Sequence, residues 1–345
     1  MVAKAFIAGI QGPNVTAEER AFIRGERPWG FILFKRNIDT PDQVKDLVVQ
    51  LREATAAPEA PVLIDQEGGR VQRLAPPHWP VYPPGRTYAD LYDRDPSCGL
   101  EAARLGARLI AADLSDLGIT VDCLPLADVP VAGADAIIGD RAYGTAPAKV
   151  AAIARAVAEG LADGGVLPVL KHIPGHGRAT ADSHLRLPVV ETGRDELDST
   201  DFAAFRPLAD LPMAMTAHVV FSAIDAAHPA TTSATMISQV IRGAIGFRGL
   251  LMSDDVSMNA LQGSIADRTR ALFAAGCDIA LHCNGRLDEM REVAANTPVL
   301  AGTALARATA ALAARRQPAA LAREAARARF TALLGRVASG GGAVA

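Results

Sequence analysis

The sequence predicts an α/β chain folded as a single (β/α)8 TIM barrel with closing helices at its carboxyl end. Short runs of Val, Ile, Leu and Phe alternate with alanine-rich helical segments, the pattern of parallel strands joined by crossover helices. Eight such runs occur, and polar or charged residues follow them. In a closed barrel the carboxyl ends of the strands meet on one face, so polar residues from distant positions would converge there.

The runs are AFIAGI at 5–10, GFILF at 30–34, PVLID at 61–65, ITVDCLPL at 119–126, LPVLKH at 167–172, MAMTAHV at 213–219, GLLMSD at 249–254 and CDIALHC at 277–283. In order, they lead into Gln11, Lys35 and Arg36, Asp65 and Glu67, Asp128, Lys171 and His172, His218, Asp254 and Asp255, and His282 and Asn284. An open doubly wound sheet is the structural rival, but GIQGPN at 9–14 lacks the GxGxxG spacing of its nucleotide turn. Beyond 286 the chain turns arginine- and alanine-rich and reads as helices to about 334, then ends in ASGGGAVA. Residues 1–335 are therefore expected to form one catalytic barrel domain and 336–345 a flexible tail.

With 345 residues, 50% hydrophobic and 21% charged, the chain can bury a large core. Its 35 basic and 38 acidic side chains leave a net charge of −3 with no long basic run, which argues against a nucleic-acid partner. The apolar run before Gln11 is too short for a secretory signal, and no uncharged stretch reaches the roughly 18 residues of a membrane span. A cytoplasmic monomer with no membrane partner is expected. Cys98, Cys123, Cys277 and Cys283 form no CxxC pair and read as small buried hydrophobes.

The densest chemistry lies in KHIPGHGRATADSH at 171–184, which holds Lys171, three histidines and Asp182 within one loop-like segment. A single histidine would more often be structural, but three with Asp182 two places before His184 favour a reactive site. DQEGGRVQRL at 65–74 sets two acids, two glycines and two arginines after a strand, suited to a polyhydroxylated or anionic ligand. Alone it would read as a salt-bridged turn. IIGDRAYG at 137–144 offers Arg141 as a donor fork, although a lone loop arginine is usually just solvated. GLLMSDDVSMNAL at 249–261 places Asp254 and Asp255 where a helix is expected to begin, so one acid can cap while the other faces the barrel mouth.

A carboxylate at the mouth can attack a sugar's anomeric carbon and form a covalent intermediate. His184 with Asp182 could then serve as acid and base, since imidazole titrates near neutrality and a carboxylate holds its tautomer. Pro174, Gly175 and Gly177 give that segment the composition of a mobile loop.

Together FILFKRN, DQEGGRVQR, GDRAYG, KHIPGHGRATADSH, MAMTAH, SDDVSM and CDIALHCN, in register over roughly residues 1–290, resemble glycoside hydrolase family 3. The resemblance is strongest to its single-domain bacterial β-N-acetylhexosaminidases of peptidoglycan recycling. It implies a retaining mechanism with Asp254 as nucleophile and His184 as acid/base, oriented by Asp182. It also implies that Asp65, Arg73, Arg141, Lys171 and His172 bind a terminal N-acetylglucosamine, with no metal and no cofactor. The substrate it implies is a muropeptide fragment carrying anhydro-N-acetylmuramic acid. Three positions depart from the pattern: Ile173 replaces an aromatic residue, Lys35 a small polar one, and Arg178 stands in the loop.

Rival readings remain at this level. A metal hydrolase could use His172, His176, His218 and His282, but no histidine pair ends the first strand, and the Pro174-Gly175 pair keeps His172 and His176 off one helical face. Lys171 could form a Schiff base in a lyase. Phosphate could replace water as acceptor, because a neutral histidine repels an anion less than a carboxylate does. A sugar-binding protein without turnover is the reading from outside enzymology.

Overall fold

Each apolar run becomes a barrel strand in the computed structural model, which describes residues 3–181, 183 and 186–338. The strands are β1 (Lys4–Gly9), β2 (Pro28–Leu33), β3 (Val62–Ile64), β4 (Val121–Asp122), β5 (Leu167–Ile173), β6 (Met213–Thr216), β7 (Leu250–Asp255) and β8 (Ile279–His282). They close in sequence order, all parallel, with β8 pairing back onto β1. Phe31 stands opposite Val62 and Met252 opposite Met215 in this register.

The runs are apolar throughout because a barrel strand is buried on both faces. Alternate side chains split into two sets. Ile7, Leu63, Val169, Met213, Met252 and Ile279 fill the interior, whereas Phe6, Val62, Leu170, Ala214, Leu251 and Ala280 join the layer under the helices. The run at 119–126 yields only two strand residues, with Leu126 making an isolated bridge to Lys171. Pro125 carries no amide donor, which interrupts the ladder there.

Three of the crossover helices begin at side-chain caps. Thr16 caps Ala17–Glu26 in a reciprocal pair with Glu19, and Thr40 with Pro41 opens Pro41–Thr55. Asp95 accepts from the Ser97 and Cys98 amides to open Pro96–Ser115. Val44, Leu47 and Leu51 of the second of these helices are fully buried, each worth about 1.5–3 kcal/mol.

One expected helix start moves. No helix follows Asp255 directly; the chain turns through 256–263 and the helix runs Ile265–Ala275, capped by Ser264. Asp255 instead holds the turn, accepting the Ser257 amide at 3.0 Å and its hydroxyl at 2.6 Å. The strand-end acid binds a local turn in preference to a helix terminus.

The carboxyl-terminal segment forms helices Leu287–Ala295, Gly302–Ala313 and Arg323–Ala338, the last reaching three residues past 335. Helix Gly302–Ala313 shuts the amino end of the barrel: Ala308 and Ala311 pack with Leu300, Trp29 and the lowest interior side chains. Arg307 of that helix pairs with Asp278 at 2.9 Å. Helix Arg323–Ala338 packs on Gly85–Arg94 and Pro96–Ser115. Its Arg327 reaches Asp113 at 2.8 Å, which also accepts the Tyr82 hydroxyl at 2.6 Å.

Candidate active site

At the open end of the barrel a cavity of about 280 Å³ gathers side chains from seven of the eight strand ends or the loops after them. After β3 the chain folds into an antiparallel hairpin, Gln66–Gly68 with Val71–Gln72. Gly68 has φ +97°, and a Cβ there would lie 2.3 Å from the Pro83 carbonyl oxygen, so only glycine fits. The hairpin presents Glu67, Arg70 and Arg73 beside Asp65.

Five of these groups form one chain of alternating charge. Arg73 pairs with Asp65 at 3.0 Å, Asp65 with Lys171 at 3.0 Å, and Lys171 with Glu67 at 2.6 Å. Glu67 takes Arg141 in a fork, with both bonds at 2.8 Å. Burial alone would raise both carboxyls, but Lys171 and Arg73 hold Asp65 far below the usual range. Arg141 and Lys171 likewise bring Glu67 down to about 2. Burial would lower Lys171, yet Glu67 and Asp65 raise it. The cluster is thus fully ionised and preset before any ligand arrives.

His172 closes the next side. Its Nδ1 lies 2.8 Å from Asp128 Oδ2, so Asp128 fixes the tautomer and leaves Nε2 as the other hydrogen-bonding position. Asp128 Oδ1 also accepts the His176 amide at 2.6 Å. The His176 ring is buried, and burial with the neighbouring His172 lowers it to about 4, so it stays neutral. His176 Nε2 stands 3.1 Å from Ser183 Oγ, and the Ser183 carbonyl accepts the Ala260 amide at 3.2 Å.

Asp254 and Asp255 end β7, and both line the cavity. Asp254 is half-buried, with its Oδ1 accepting the Asp255 amide at 2.8 Å. Asp255 is committed to Ser257 and to the Cys283 amide at 3.1 Å. Of the residues singled out in the sequence, Asp65, Arg73, Arg141, Lys171, His172 and Asp254 thus share one cavity. Asp182 and His184 lie outside the described residues. His218 and His282 are buried and do not line the cavity; His218 sits between Thr231 and the Asp255 carbonyl and His282 beside Glu289. Among the described residues no group of three or more His, Cys, Asp or Glu side chains is placed to hold a metal ion.

Residues 3–313 match the sequence profile of the glycosyl hydrolase family 3 N-terminal domain. The chain belongs to glycosyl hydrolase family 3. It is 38% identical over 288 residues to a β-hexosaminidase of Alkalilimnicola ehrlichii, covering 82% of each. Native NagZ from Neisseria gonorrhoeae has the same architecture, with TM-score 0.85, 34% identity and 98% of both chains covered. NagZ from that organism in complex with N-trifluoroacetyl-D-glucosamine gives 0.84, 33% identity and again 98% of both. With the family assigned, the chain is an enzyme, a glycosidase.

Sequence reasoning left Glu67, Asp128 and His176 out of the family 3 site. Charge arithmetic could have found Glu67: Arg73, Arg141 and Lys171 set against Asp65 alone leave three cations to one anion, which a buried cluster does not tolerate. Asp128 follows a strand run as the other site residues do, and was visible on that ground. His176 counted among the clustered histidines of 171–184 and as a rival metal ligand, but nothing in the sequence gave it a place in this site.

Proposed function

We propose that this family 3 β-hexosaminidase removes terminal non-reducing N-acetylglucosamine from GlcNAc-1,6-anhydroMurNAc, with or without attached peptide. The observation that carries the reading is the meeting of Asp254 with the Arg73, Asp65, Lys171, Glu67 and Arg141 chain in one cavity of a single sugar's size. Preset carboxylates and cations suit sugar hydroxyls, which both donate and accept. Apolar walls from Met215, Met258 and Ile137 suit the ring faces and an acetamido methyl. The gonococcal neighbour's complex with an N-acyl amino sugar supports the same class of ligand.

In this mechanism the Asp254 carboxylate attacks the anomeric carbon while His184 protonates the leaving oxygen. His184, oriented by Asp182, then takes a proton from water as water displaces Asp254, and configuration is retained. Asp65, Arg73, Arg141, Lys171 and His172 hold the sugar. The same reading makes the chain a cofactor-free cytoplasmic monomer acting on diffusible cell-wall fragments.

The test is nitrophenol release from the β-N-acetylglucosaminide and the matching β-glucoside, with chelator present. Turnover of the acetamido sugar alone, abolished by Asp254→Ala, is expected, with release of N-acetylglucosamine from the anhydro-disaccharide. Activity indifferent to Asp254→Ala would overturn the assignment of the nucleophile.

A further inference from the structure

Arg178, one of the departures from the family pattern, is not a solvated loop residue. Its Nε donates to Asp201 Oδ2 at 2.6 Å, its Nη1 lies 2.9 Å from Glu196 Oε1, and its Nη2 donates to Thr200 Oγ1 at 3.0 Å. Asp201 is 1% exposed, so this pairing differs from a surface ion pair worth roughly 0–1 kcal/mol. Removing the guanidinium leaves a buried carboxylate without its cation. Gly175 rests on the same aspartate: a Cβ there would approach Asp201 Cβ to 3.3 Å. Across the loop, a Cβ on Gly177 would fall 2.1 Å from the Val129 carbonyl oxygen. The stem of the loop is therefore gripped from both sides. Farther along, the His176 ring holds Ser183, which stands between Asp182 and His184 in the sequence.

We propose that Arg178 and His176 are positioning residues that hold the segment carrying Asp182 and His184 at two points, Arg178 at its stem and His176 at Ser183. The inference rests on the reading of His184 as acid/base. In glycosylation the Asp254 oxygen bonds to C1 as the C1–O bond to the aglycone breaks, and the aglycone oxygen takes the His184 proton. Nitrophenolate departs almost without that proton, whereas an alkoxide needs it. In deglycosylation azide displaces Asp254 from C1 to give the glycosyl azide without any base. A displaced acid/base therefore leaves a signature that general loosening of the fold does not.

The experiment compares kcat/KM for 4-nitrophenyl and methyl β-N-acetylglucosaminides, and kcat on the nitrophenyl glycoside with and without azide. It uses wild type, Arg178→Ala, Arg178→Lys, Ser183→Ala and His184→Ala, each checked for folding by circular dichroism. Arg178→Ala and Ser183→Ala are expected to lose about 10- to 100-fold on the methyl glycoside and under about threefold on the nitrophenyl one. Arg178→Lys falls between, and azide raises nitrophenyl turnover in the Ala variants but not in wild type. If His184→Ala shows this split while Arg178→Ala and Ser183→Ala lose equally on both substrates or on neither, the anchoring is wrong. If His184→Ala itself shows no split, the role of His184 falls and the inference falls with it.

Discussion

Replacing Lys171 with methionine removes the middle of the charge chain while keeping most of its volume. The Lys171 side chain is 2% exposed and contacts Asp65 at 3.0 Å and Glu67 at 2.6 Å. Without it two ionised carboxylates, Asp65 at 16% and Glu67 at 5% side-chain exposure, face each other with no cation between them. Breaking a buried pair of this kind costs about 3–5 kcal/mol, because the uncompensated charge costs more than the bond was worth. Glu67 keeps Arg141 and Asp65 keeps Arg73, so the lower half of that range, about 3 kcal/mol, is expected. The deficit should shrink as pH falls from 8 to 5, since a carboxyl that has lost its cation escapes the penalty by protonating. Urea denaturation at both pH values measures this, alongside the inhibition constant for N-acetylglucosamine. Lys171→Met with Glu67→Gln should recover at least half the loss of stability but not the binding. A Lys171→Met protein within about 0.5 kcal/mol of wild type, the size of an ordinary surface substitution, would refute the charge-chain account.

Three further outcomes follow from the same structure. His176 sits near 4 when folded and near 6.5 when unfolded, so the unfolded chain takes up its proton first. Stability should be full above pH 6.5, fall by up to roughly 3 kcal/mol between 6.5 and 4, and show a shallower slope in His176→Gln when followed by denaturant midpoints. Gly85→Ala would set a Cβ 2.1 Å from the Arg141 carbonyl oxygen, and should cost about 1–3 kcal/mol and raise KM as the Glu67 fork is displaced, read by thermal melts and kinetics. Tyr82→Phe strips one hydrogen bond from the buried Asp113 and should cost about 1–3 kcal/mol in urea melts.

The barrel was legible because its signal is local and repeated. Each run of 61–65 or 249–254 type is apolar enough to be buried on both faces, and eight of them leave few topologies. Asp65, Lys171 and Asp254 were legible as strand-end polar residues, since a barrel brings such positions together whatever their separation. What escaped notice depends on partners that sequence order does not state. Asp254 and Asp255 read alike in SDD, yet only the fold shows Asp255 spent on Ser257 and Cys283. His172 and His176 differ just as little in the sequence, and only the fold shows the first held by Asp128 and the second beside Ser183. Arg178 showed no partner in the sequence for the same reason, because Asp201 lies 23 residues away.

The interior side chains that fill the barrel, Ile7, Leu63, Val169, Met213, Met252 and Ile279 among them, also leave the pocket above them open at one end only. A pocket with a floor is a cul-de-sac: whatever enters first must leave last. On the proposed function a substrate comes in sugar end foremost, cleavage falls at chain termini, and the aglycone backs out before the sugar behind it. On the proposed reading the released sugar, still within the charge chain, leaves last and competes with fresh substrate for the same berth. On that reading throughput falls as the monosaccharide it makes accumulates.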